Sequence, residues 1–351
     1  MVGNAQGGQM KGPARLRDVA ERAGVSIRTV SNVVNGYAPV SDQKRRLVEA
    51  AVAELGYRPN VLARNLKNGR SGLIALVVPE LDVPYFSELA RAVVTKAREF
   101  GYTVVVDQTD AEPDRERELI QGEGDAALFD AVILSPLALS QKDLPKRDPK
   151  HPLVLLGERI ADSEFDHVTI DNVAAARDAT AHLFDLGRRR IAAIGDQPYE
   201  TGETAQLRTR GFELAHAERG VSVDRSLLVP RRTFHFADGA DAMEELLRHP
   251  GGRPDAVFCY NDLVAIGAVR TLLSHGLRVP EDVAVVGFDD IEAARYQTPS
   301  LTTIAPDRRQ IARLAVERVI ARLGGAAEEE PAEFYADYEL VVRESTTGTT
   351  R

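Results

Sequence analysis

The chain has 351 residues, of which 44% are hydrophobic and 28% are charged. This length and composition indicate two or three packed domains and exclude a disordered or fibrous protein. The single cysteine, Cys259, excludes an internal disulfide framework and a four-thiolate zinc site.

Charge is distributed unevenly along the chain. The formal net charge is −9, but residues 1–70 carry twelve Lys and Arg against five Asp and Glu, a net charge of +7. The rest of the chain therefore carries −16. A basic segment before an acidic remainder predicts that residues 1–70 meet a polyanion while the remainder has another task. Charge by itself leaves open the alternative of a solvated charged face.

No targeting or membrane segment is expected. No stretch approaches the roughly 18 to 20 continuous apolar residues of a membrane span. Residues 1–13 lack the apolar core of a secretion signal, and we expect them to form a disordered tail to residue 14. The sequence therefore predicts a cytoplasmic protein, and no cofactor is expected.

Residues 16–36 read LRDVAERAGVSIRTVSNVVNG, with apolar residues at helical spacing on either side of Gly24. This pattern predicts a helix, a tight turn at Gly24 and a second helix capped by Ser26. Ala20 is small where the second helix has to cross closely. The spacing is that of a helix-turn-helix that reads DNA.

The start of the second helix presents residue types that suit base edges. An arginine fork suits guanine, an asparagine amide suits adenine, and Ile27 or the methyl group of Thr29 could meet a thymine methyl. A helical hairpin with polar residues facing water is the alternative. The candidate DNA-binding residues of this helix are Ser26, Ile27, Arg28, Thr29 and Asn32.

Two further helices are predicted before residue 72. The first covers residues 41–55, with Ser41 as its N-cap and Gly56 just past its end, and it closes a three-helix core. The second belongs to YRPNVLARNLKNGRSG at residues 57–72, where Pro59 suits a first helical position. It would run only about eight residues, too few to be stable alone in water, so we expect it to fold against a partner.

These motifs resemble the lactose repressor/galactose repressor family of regulators, and the resemblance covers nearly the whole chain. It implies that residues 59–71 are a hinge helix and linker that orders on operator DNA and pairs with its dimer mate. It also implies that Leu66 wedges into the minor groove, which would bend the DNA; an ordinary linker residue is the alternative. The other hinge residues that the resemblance places at DNA are Asn60, Ala63, Asn65 and Lys67.

After residue 72 the chain alternates short apolar runs with amphipathic stretches. The runs are LIALVVP from Leu73, TVVV from Thr103, AVILSPL from Ala131, LVLLG from Leu153, IAAIG from Ile191, AVFCY from Ala256 and VAVVGF from Val283. This alternation is typical of parallel strands in βα units. The length favours two sheets rather than one.

The family resemblance implies a body similar to type I periplasmic sugar-binding proteins, with two α/β lobes joined by three crossovers around a ligand cleft. The predicted fold class is thus an N-terminal all-α helix-turn-helix domain with a hinge helix, followed by a C-terminal α/β two-lobed periplasmic-binding-protein-like effector domain. The predicted limits are 15–58 for the helix-turn-helix domain and 72–345 for the effector domain, with lobe 1 at about 72–168 and 300–328 and lobe 2 at about 169–298 and 330–345. We expect residues 326–333 to be a solvated loop and 346–351 to be a frayed tail.

Ligands of such sheets bind beyond the carboxyl ends of the strands. Carboxylates and an arginine fork there suit paired hydroxyl groups, and an aromatic ring covers an apolar sugar face. Core packing is the alternative for Tyr85 or Phe86, and helix capping is the alternative for Asp171 and Asp289. The candidate effector-binding residues are Tyr85, Phe86, Asp171, Arg208, Phe234, Asn261, Asp262 and Asp289.

The predicted function is a sequence-specific transcriptional repressor controlled by a small effector, for which a carbohydrate is expected. Family members often have Asn before the Pro-aromatic-aromatic motif where this chain has Val83, so no particular sugar is implied. A homodimer on a palindromic operator is expected, because one recognition helix reads only a few base pairs. The chain end has no heptad helix of the kind that a tetramer would need.

Two other classes are disfavoured. An α/β enzyme is disfavoured because the sequence has no phosphate-binding loop, nucleophile elbow or zinc-protease motif, and its seven histidines have no ligand-like spacing. A transport binding protein would need a secretion signal and would have no use for a basic helix-turn-helix.

Overall fold

The computed structural model describes residues 14–35, 38–57, 70–121, 128–139, 143, 151–158, 164–199, 202–325 and 330–348. The chain divides into a first unit, Met1–Ser71, and a second unit, Gly72–Arg351.

The described residues of the first unit form three of the four helices that the sequence predicts, and the fourth, the hinge helix, falls outside the described residues. The three helices are α1 (Leu16–Ala23), α2 (Ile27–Asn35) and α3 (Asp42–Leu55). Gly24 ends α1 with φ +63°, in the left-handed region that favours glycine. Ala20, Val30 and Val48 are buried in the shared core. The helix-turn-helix prediction is confirmed.

The two predicted serine caps behave differently. The Ser26 hydroxyl accepts a hydrogen bond from the Thr29 amide at 3.1 Å, so it caps α2 as expected. Ser41 occupies the N-cap position of α3, but its side chain accepts no capping bond. Gly56 ends α3 in the left-handed conformation, as predicted.

The second unit is built on two six-stranded sheets. The strands of the first sheet are β1 (Leu73–Val78), β2 (Thr103–Gln108), β3 (Ala131–Leu134), β4 (Leu153–Leu156), β5 (Asp166–Ile170) and β11 (Glu333–Ala336), in the order β11-β5-β4-β3-β1-β2. Each pairs in parallel with its neighbours. Because both faces of a parallel sheet are covered, β1, β3 and β4 are almost completely buried.

The second sheet repeats this arrangement. Its strands are β6 (Ile191–Asp196), β7 (Leu228–Pro230), β8 (Ala256–Cys259), β9 (Ala284–Phe288), β10 (Thr302–Pro306) and β12 (Tyr338–Val341), in the order β12-β10-β9-β8-β6-β7. Only the edge strand β12 runs antiparallel to its neighbour among the described pairs. The prediction of an α/β unit with two sheets is confirmed.

Helices connect and cover the strands. They are α4 (Pro84–Glu99), α5 (Pro113–Gln121), α6 (Asn172–Asp185), α7 (Glu203–Glu218), α8 (Phe236–Leu247), α9 (Asp262–Ser274), α10 (Glu292–Tyr296), α11 (Arg308–Leu323) and α12 (Glu344–Thr347). None of the helices within the described ranges is long and apolar enough to cross a membrane.

The described chain passes between the sheets after β5, after β10 and after β11. We call the first sheet with α4, α5 and α11 the first lobe, and the second sheet with α6–α10 and α12 the second lobe. The predicted lobe limits are wrong at two crossovers. Residues 302–306 pair with β9 in the second sheet and residues 333–336 pair with β5 in the first. An apolar run reveals a strand but not its neighbour, so the sequence alone could not place these strands.

Residues 333 and 346–348 are also more ordered than predicted. Residue 333, predicted to be in a solvated loop, begins β11. Thr346, predicted to be in a frayed tail, is buried in α12, where its hydroxyl lies 3.0 Å from His182 Nε2 and 2.7 Å from the Thr302 hydroxyl. Small polar residues pair with each other here, so the segment lacks the apolar pattern by which a packed helix is recognised.

A buried ion pair fastens α11 and the start of β11, which follow the crossover after β10, to the first sheet. Asp166 on β5 accepts hydrogen bonds from Arg322 at 2.8 Å and from Arg318 at 3.2 Å, and also from the Ala332 amide at 3.1 Å. Burial by itself would raise the pKa of Asp166, but the hydrogen bonds from Arg322 and Arg318 outweigh it and hold that pKa below its ordinary value. The carboxylate therefore ties α11 and the start of β11 to the sheet.

We predict that Asp166→Asn lowers the free energy of unfolding by about 3 to 5 kcal/mol, because it leaves buried guanidinium charge without its partner. Urea denaturation at pH 7 measures this. The matched control is Asp185→Asn, which removes an exposed pair with Arg219 and is expected to cost less than about 1 kcal/mol. Equal losses for the two variants would contradict the role given to Asp166.

Candidate functional site

The start of α2 presents the predicted recognition residues on the surface of the first unit. Ile27 is 49% exposed although it is apolar. Arg28 is exposed and has no side-chain partner among the described residues. The Thr29 hydroxyl lies 2.9 Å from the Ser26 hydroxyl. Asn32 is half-buried one turn later. This face is therefore free to contact another molecule.

The first unit has a second basic surface, at the start of α3, whose residues are not among the DNA-binding residues predicted from the sequence. Lys44, Arg45 and Arg46 are all exposed in the first turns of α3, and no ion pair with another described residue holds them. Three consecutive basic residues in the sequence could have indicated this surface. The predicted hinge residues Asn60, Ala63, Asn65, Leu66 and Lys67 lie outside the described residues.

The second unit contains a cavity of about 300 Å³ between its two lobes. Of the predicted effector-binding residues, the first lobe contributes Tyr85 and Phe86, and the second lobe contributes Arg208, Phe234, Asn261 and Asp289. The strand ends and helix starts of both sheets converge here, as expected for parallel sheets.

Arg208 on α7 is held in one position inside the cavity. It is only 7% exposed, and its Nε donates to Asn172 Oδ1 at 2.9 Å while an Nη donates to the Tyr260 carbonyl oxygen. The guanidinium carbon lies 3.6 Å from the centre of the Phe288 ring, within cation–π distance. These contacts fix the plane of the fork and leave part of it facing the cavity.

Glu158 extends the same network from the opposite lobe. It follows β4 and accepts hydrogen bonds from Asn172 Nδ2 and from the Thr204 hydroxyl, each at 2.6 Å. Both donors belong to the second lobe, so the two lobes share this carboxylate. Sequence reasoning missed Glu158, although its position just after a strand end was the signal that selected other candidates.

Asp289 places a carboxylate in the cavity without a hydrogen bond from any described residue. Its backbone has φ +111°, in a region that non-glycine residues rarely adopt. Burial raises the pKa of Asp289 to about 7, and Glu158 and Glu88 contribute to the rise, whereas the charges of Arg208 and Arg308 oppose it. A ligand that donates hydrogen bonds would supply the partner that this carboxyl group lacks.

Aromatic rings and one amide complete the wall. Tyr85 and Phe86 meet edge to face, with ring centres 5.3 Å apart. The pKa of Tyr85 is raised by burial and by the nearby Asp289 charge, so its hydroxyl stays protonated. Asn261 accepts from the Val264 amide and donates to the Phe234 carbonyl oxygen, each at 2.9 Å, and so holds Phe234 at the cavity.

Two predicted effector contacts do not line the cavity. Asp171 is exposed and caps α6 by accepting from the Ala174 amide at 2.9 Å, which was the alternative considered from the sequence. The adjacent Asn172 faces the network instead. Asp262 is completely buried and accepts from the Thr303 hydroxyl at 2.6 Å. Burial, with the Asp289 charge, raises the pKa of Asp262, so Asp262 is an internal hydrogen-bonding residue.

The cavity can therefore bind a ligand that has several hydroxyl groups and an apolar face. Carboxylates accept from hydroxyl hydrogens, the Arg208 fork donates to hydroxyl oxygens, and the rings cover the apolar face. Within the described ranges, no group of three or more His, Cys, Asp or Glu side chains could hold a metal ion.

Comparison with known proteins identifies both units. Residues 15–60 match the family described as "Bacterial regulatory proteins, lacI family", and residues 180–346 match "Periplasmic binding protein-like domain". The ribose operon repressor of Escherichia coli (strain K12) is 35% identical over 314 residues, which are 88% of this chain and 93% of that protein. The chain belongs to the lacI family of bacterial regulatory proteins.

Solved structures of lacI-family proteins agree with the fold. A complex of the transcriptional regulator CelR with cellobiose is 32% identical, covers 95% of this chain and 99% of that one, and has a TM-score of 0.68. The lac repressor dimer bound to operator and the anti-inducer ONPF is 28% identical, covers 95% of this chain and 99% of that one, and has a TM-score of 0.81.

We predict that Asp289→Asn removes a pH-dependent loss of stability. The unfolded chain releases the Asp289 proton near pH 4 and the folded chain near pH 7, so the wild-type protein loses stability as pH rises through this window. At pH 8 the variant should have a free energy of unfolding higher by roughly 1 to 4 kcal/mol, and at pH 4 the two should agree. Urea denaturation from pH 4 to 8 measures the difference.

The matched control is Asp171→Asn, because asparagine serves as a helix cap as well as aspartate does. It should keep the pH dependence of the wild-type protein. The same pH profile for Asp289→Asn and the wild-type protein would contradict the buried environment given to Asp289.

Proposed function

We propose that this protein is a transcriptional repressor that binds operator DNA through its first unit and a small polyhydroxylated effector through its second unit. The observation that carries the proposal is the combination in one chain of a free recognition face on α2 and a cavity lined by Arg208, Glu158 and Asp289. The expected location is the cytoplasm, where a repressor meets its DNA.

The DNA-binding part of the proposal rests on residue chemistry and on the family. The Arg28 fork and the Asn32 amide suit base edges in the major groove, and the exposed Lys44, Arg45 and Arg46 suit phosphates. The related lac repressor structure is a dimer bound to operator. We accordingly propose a homodimer on a palindromic operator, since two-fold symmetry in the protein matches two-fold symmetry in the site.

The effector part rests on the cavity. The class of ligand we propose is a sugar or sugar derivative, because its ring offers both hydroxyl groups and an apolar face. Among the relatives, CelR is bound to cellobiose and another is named for the ribose operon. An effector that binds one arrangement of the lobes better than another would change operator affinity by linkage.

The test of DNA recognition is selection of bound duplexes from a random pool at near-physiological salt, with and without D-ribose and cellobiose. Enrichment of a palindrome is the expected outcome. The absence of any enriched sequence under all of these conditions would contradict the proposal, because nonspecific binding by charge enriches none.

We predict that Arg28→Ala weakens binding to the selected operator by about 1 to 3 kcal/mol and relaxes specificity at one base pair in each half-site. Fluorescence anisotropy against the operator and its single-base variants measures both effects. Lys44→Ala is the control, since loss of a phosphate contact weakens all sequences about equally and lowers the salt dependence by about one unit of slope. Uniform weakening by Arg28→Ala would assign Arg28 to phosphate instead.

We predict that Arg208→Lys weakens effector binding at least about tenfold, because lysine keeps the charge but loses the fork that donates in two directions and stacks on Phe288. Calorimetry with pentoses, hexoses and disaccharides, including D-ribose and cellobiose, first finds a sugar that binds the wild-type protein. The control is Arg210→Lys, an exposed position on the same helix, which should bind that sugar normally. If no sugar in the panel bound the wild-type protein, the proposed ligand class would be wrong.

A further inference from the structure

The turn after β9 holds two consecutive residues in the left-handed half of backbone space. Asp289 has φ +111° and Asp290 has φ +52°, and neither is glycine. Such conformations persist only where surrounding contacts impose them. The turn matters because it aims the Asp289 carboxylate into the cavity.

The Asp290 side of the turn is anchored by its own side chain. The Asp290 carboxylate accepts hydrogen bonds from Arg343 Nη2 at 2.5 Å and from Arg295. Both partners belong to the second lobe. These contacts fix Asp290 but do not involve the Asp289 side chain.

The backbone of the turn is held by Arg308 instead. One Nη of Arg308 donates to the Asp289 carbonyl oxygen, and the other donates to the Asp290 carbonyl oxygen at 3.2 Å. Arg308 is the first residue of α11, directly after the crossover that follows β10. The guanidinium of Arg308 thus binds the carbonyl groups of both strained residues, and it does so from the start of the first helix after the crossover.

The same guanidinium is bound to the first lobe through Glu88 on α4. Glu88 Oε2 lies 3.0 Å from Arg308 Nη2, and Glu88 Oε1 accepts from the Glu292 amide of the second lobe at 3.1 Å. Side-chain exposure is 15% for Arg308 and 31% for Glu88, so water competes only partly for this pair. The first turn of α4 also carries Tyr85 and Phe86.

We propose that Arg308 is a positioning residue that holds the Asp289–Asp290 turn in its strained form and, through Glu88, joins that turn to the first lobe. The position of the Asp289 carboxylate then depends on the approach of the two lobes. The functional meaning of this arrangement rests on the proposed effector site. The test below uses no effector, so its outcome is independent of whether the proposed ligand class is correct.

The first test is a thermal denaturation cycle on the full chain at pH 8. Arg308→Gln should lower the melting temperature by about 3 to 6 °C. The loss should persist in an Asp289→Asn background, where the side chain is neutral but the backbone is still strained. It should be smaller there only by the charge interaction between Arg308 and the Asp289 carboxylate. It should fall by at least half in an Asp289→Gly background, because glycine adopts this backbone without strain and needs no restraint.

The second test separates the charge of Arg308 from its fork. The charged and titratable groups that interact with Asp289 are Arg208, Arg308, Glu158, Glu88, Asp262 and Tyr85. Arg308→Gln should move the pH midpoint of the stability difference between wild-type and Asp289→Asn backgrounds to higher pH. Arg308→Lys should keep that midpoint, because the charge remains, yet lose thermal stability, because one ammonium cannot hold two carbonyl groups in the same way. Arg309→Gln, at the adjacent exposed residue, should change neither quantity.

The third test addresses the link to the first lobe. Glu88→Ala removes the acceptor of the Glu292 amide, so hydrogen exchange of residues 289–293 should lose protection relative to the wild-type protein. The proposal is overturned if Arg308→Gln costs nothing in the Asp289→Asn background, since Arg308 would then only balance a charge. It is overturned equally if Asp289→Gly leaves the cost unchanged, if the pH midpoint does not move, or if exchange is unaffected by Glu88→Ala.

Discussion

Burial of charge in the cavity is the constraint on which the second unit depends. A guanidinium or carboxylate removed from water is costly unless hydrogen bonds replace the lost solvation. Arg208 and Glu158 meet this requirement through Asn172, and Glu158 and its two donors come from opposite lobes. Asp289 does not meet it, and burial raises its pKa to about 7. Arg208 and Glu158 thus have hydrogen-bond partners within the protein, whereas the Asp289 carboxylate has none among the described residues and faces the space where the proposed ligand would bind.

Residues near the crossovers link the two sheets to each other and to the cavity between them. Each sheet has its own buried strands, and one apolar cluster contains buried residues of both lobes. Glu158 and Glu88 add hydrogen bonds between the lobes. Asp166 fastens α11 and the start of β11, which follow the crossover after β10, to the first sheet. Arg308, the first residue of α11, follows the same crossover and reaches the turn that carries Asp289. Arg308 therefore connects α11 of the first lobe to the turn beside the cavity.

The parts of the structure that local sequence determines could be predicted. The helix-turn-helix follows from apolar spacing, Gly24 and Ser26 within a short window, and the buried strands follow from their aliphatic runs. The partners of β10 and β11 depend on contacts between distant segments, so their lobes were assigned wrongly. Asp171 and Asn172 are neighbours at a strand end, and only the direction of the helix start decides that Asn172 faces the cavity while Asp171 caps.

In the proposed function, one chain couples a DNA-reading unit to an effector-binding unit. If the effector changes the affinity for operator by some factor, linkage requires that operator binding changes the affinity for the effector by the same factor. Calorimetric titration of the effector into the free protein and into the operator complex is the most direct measurement. The two effector affinities should differ by the same factor as the operator affinities measured with and without effector. Equal affinities would contradict the proposed coupling.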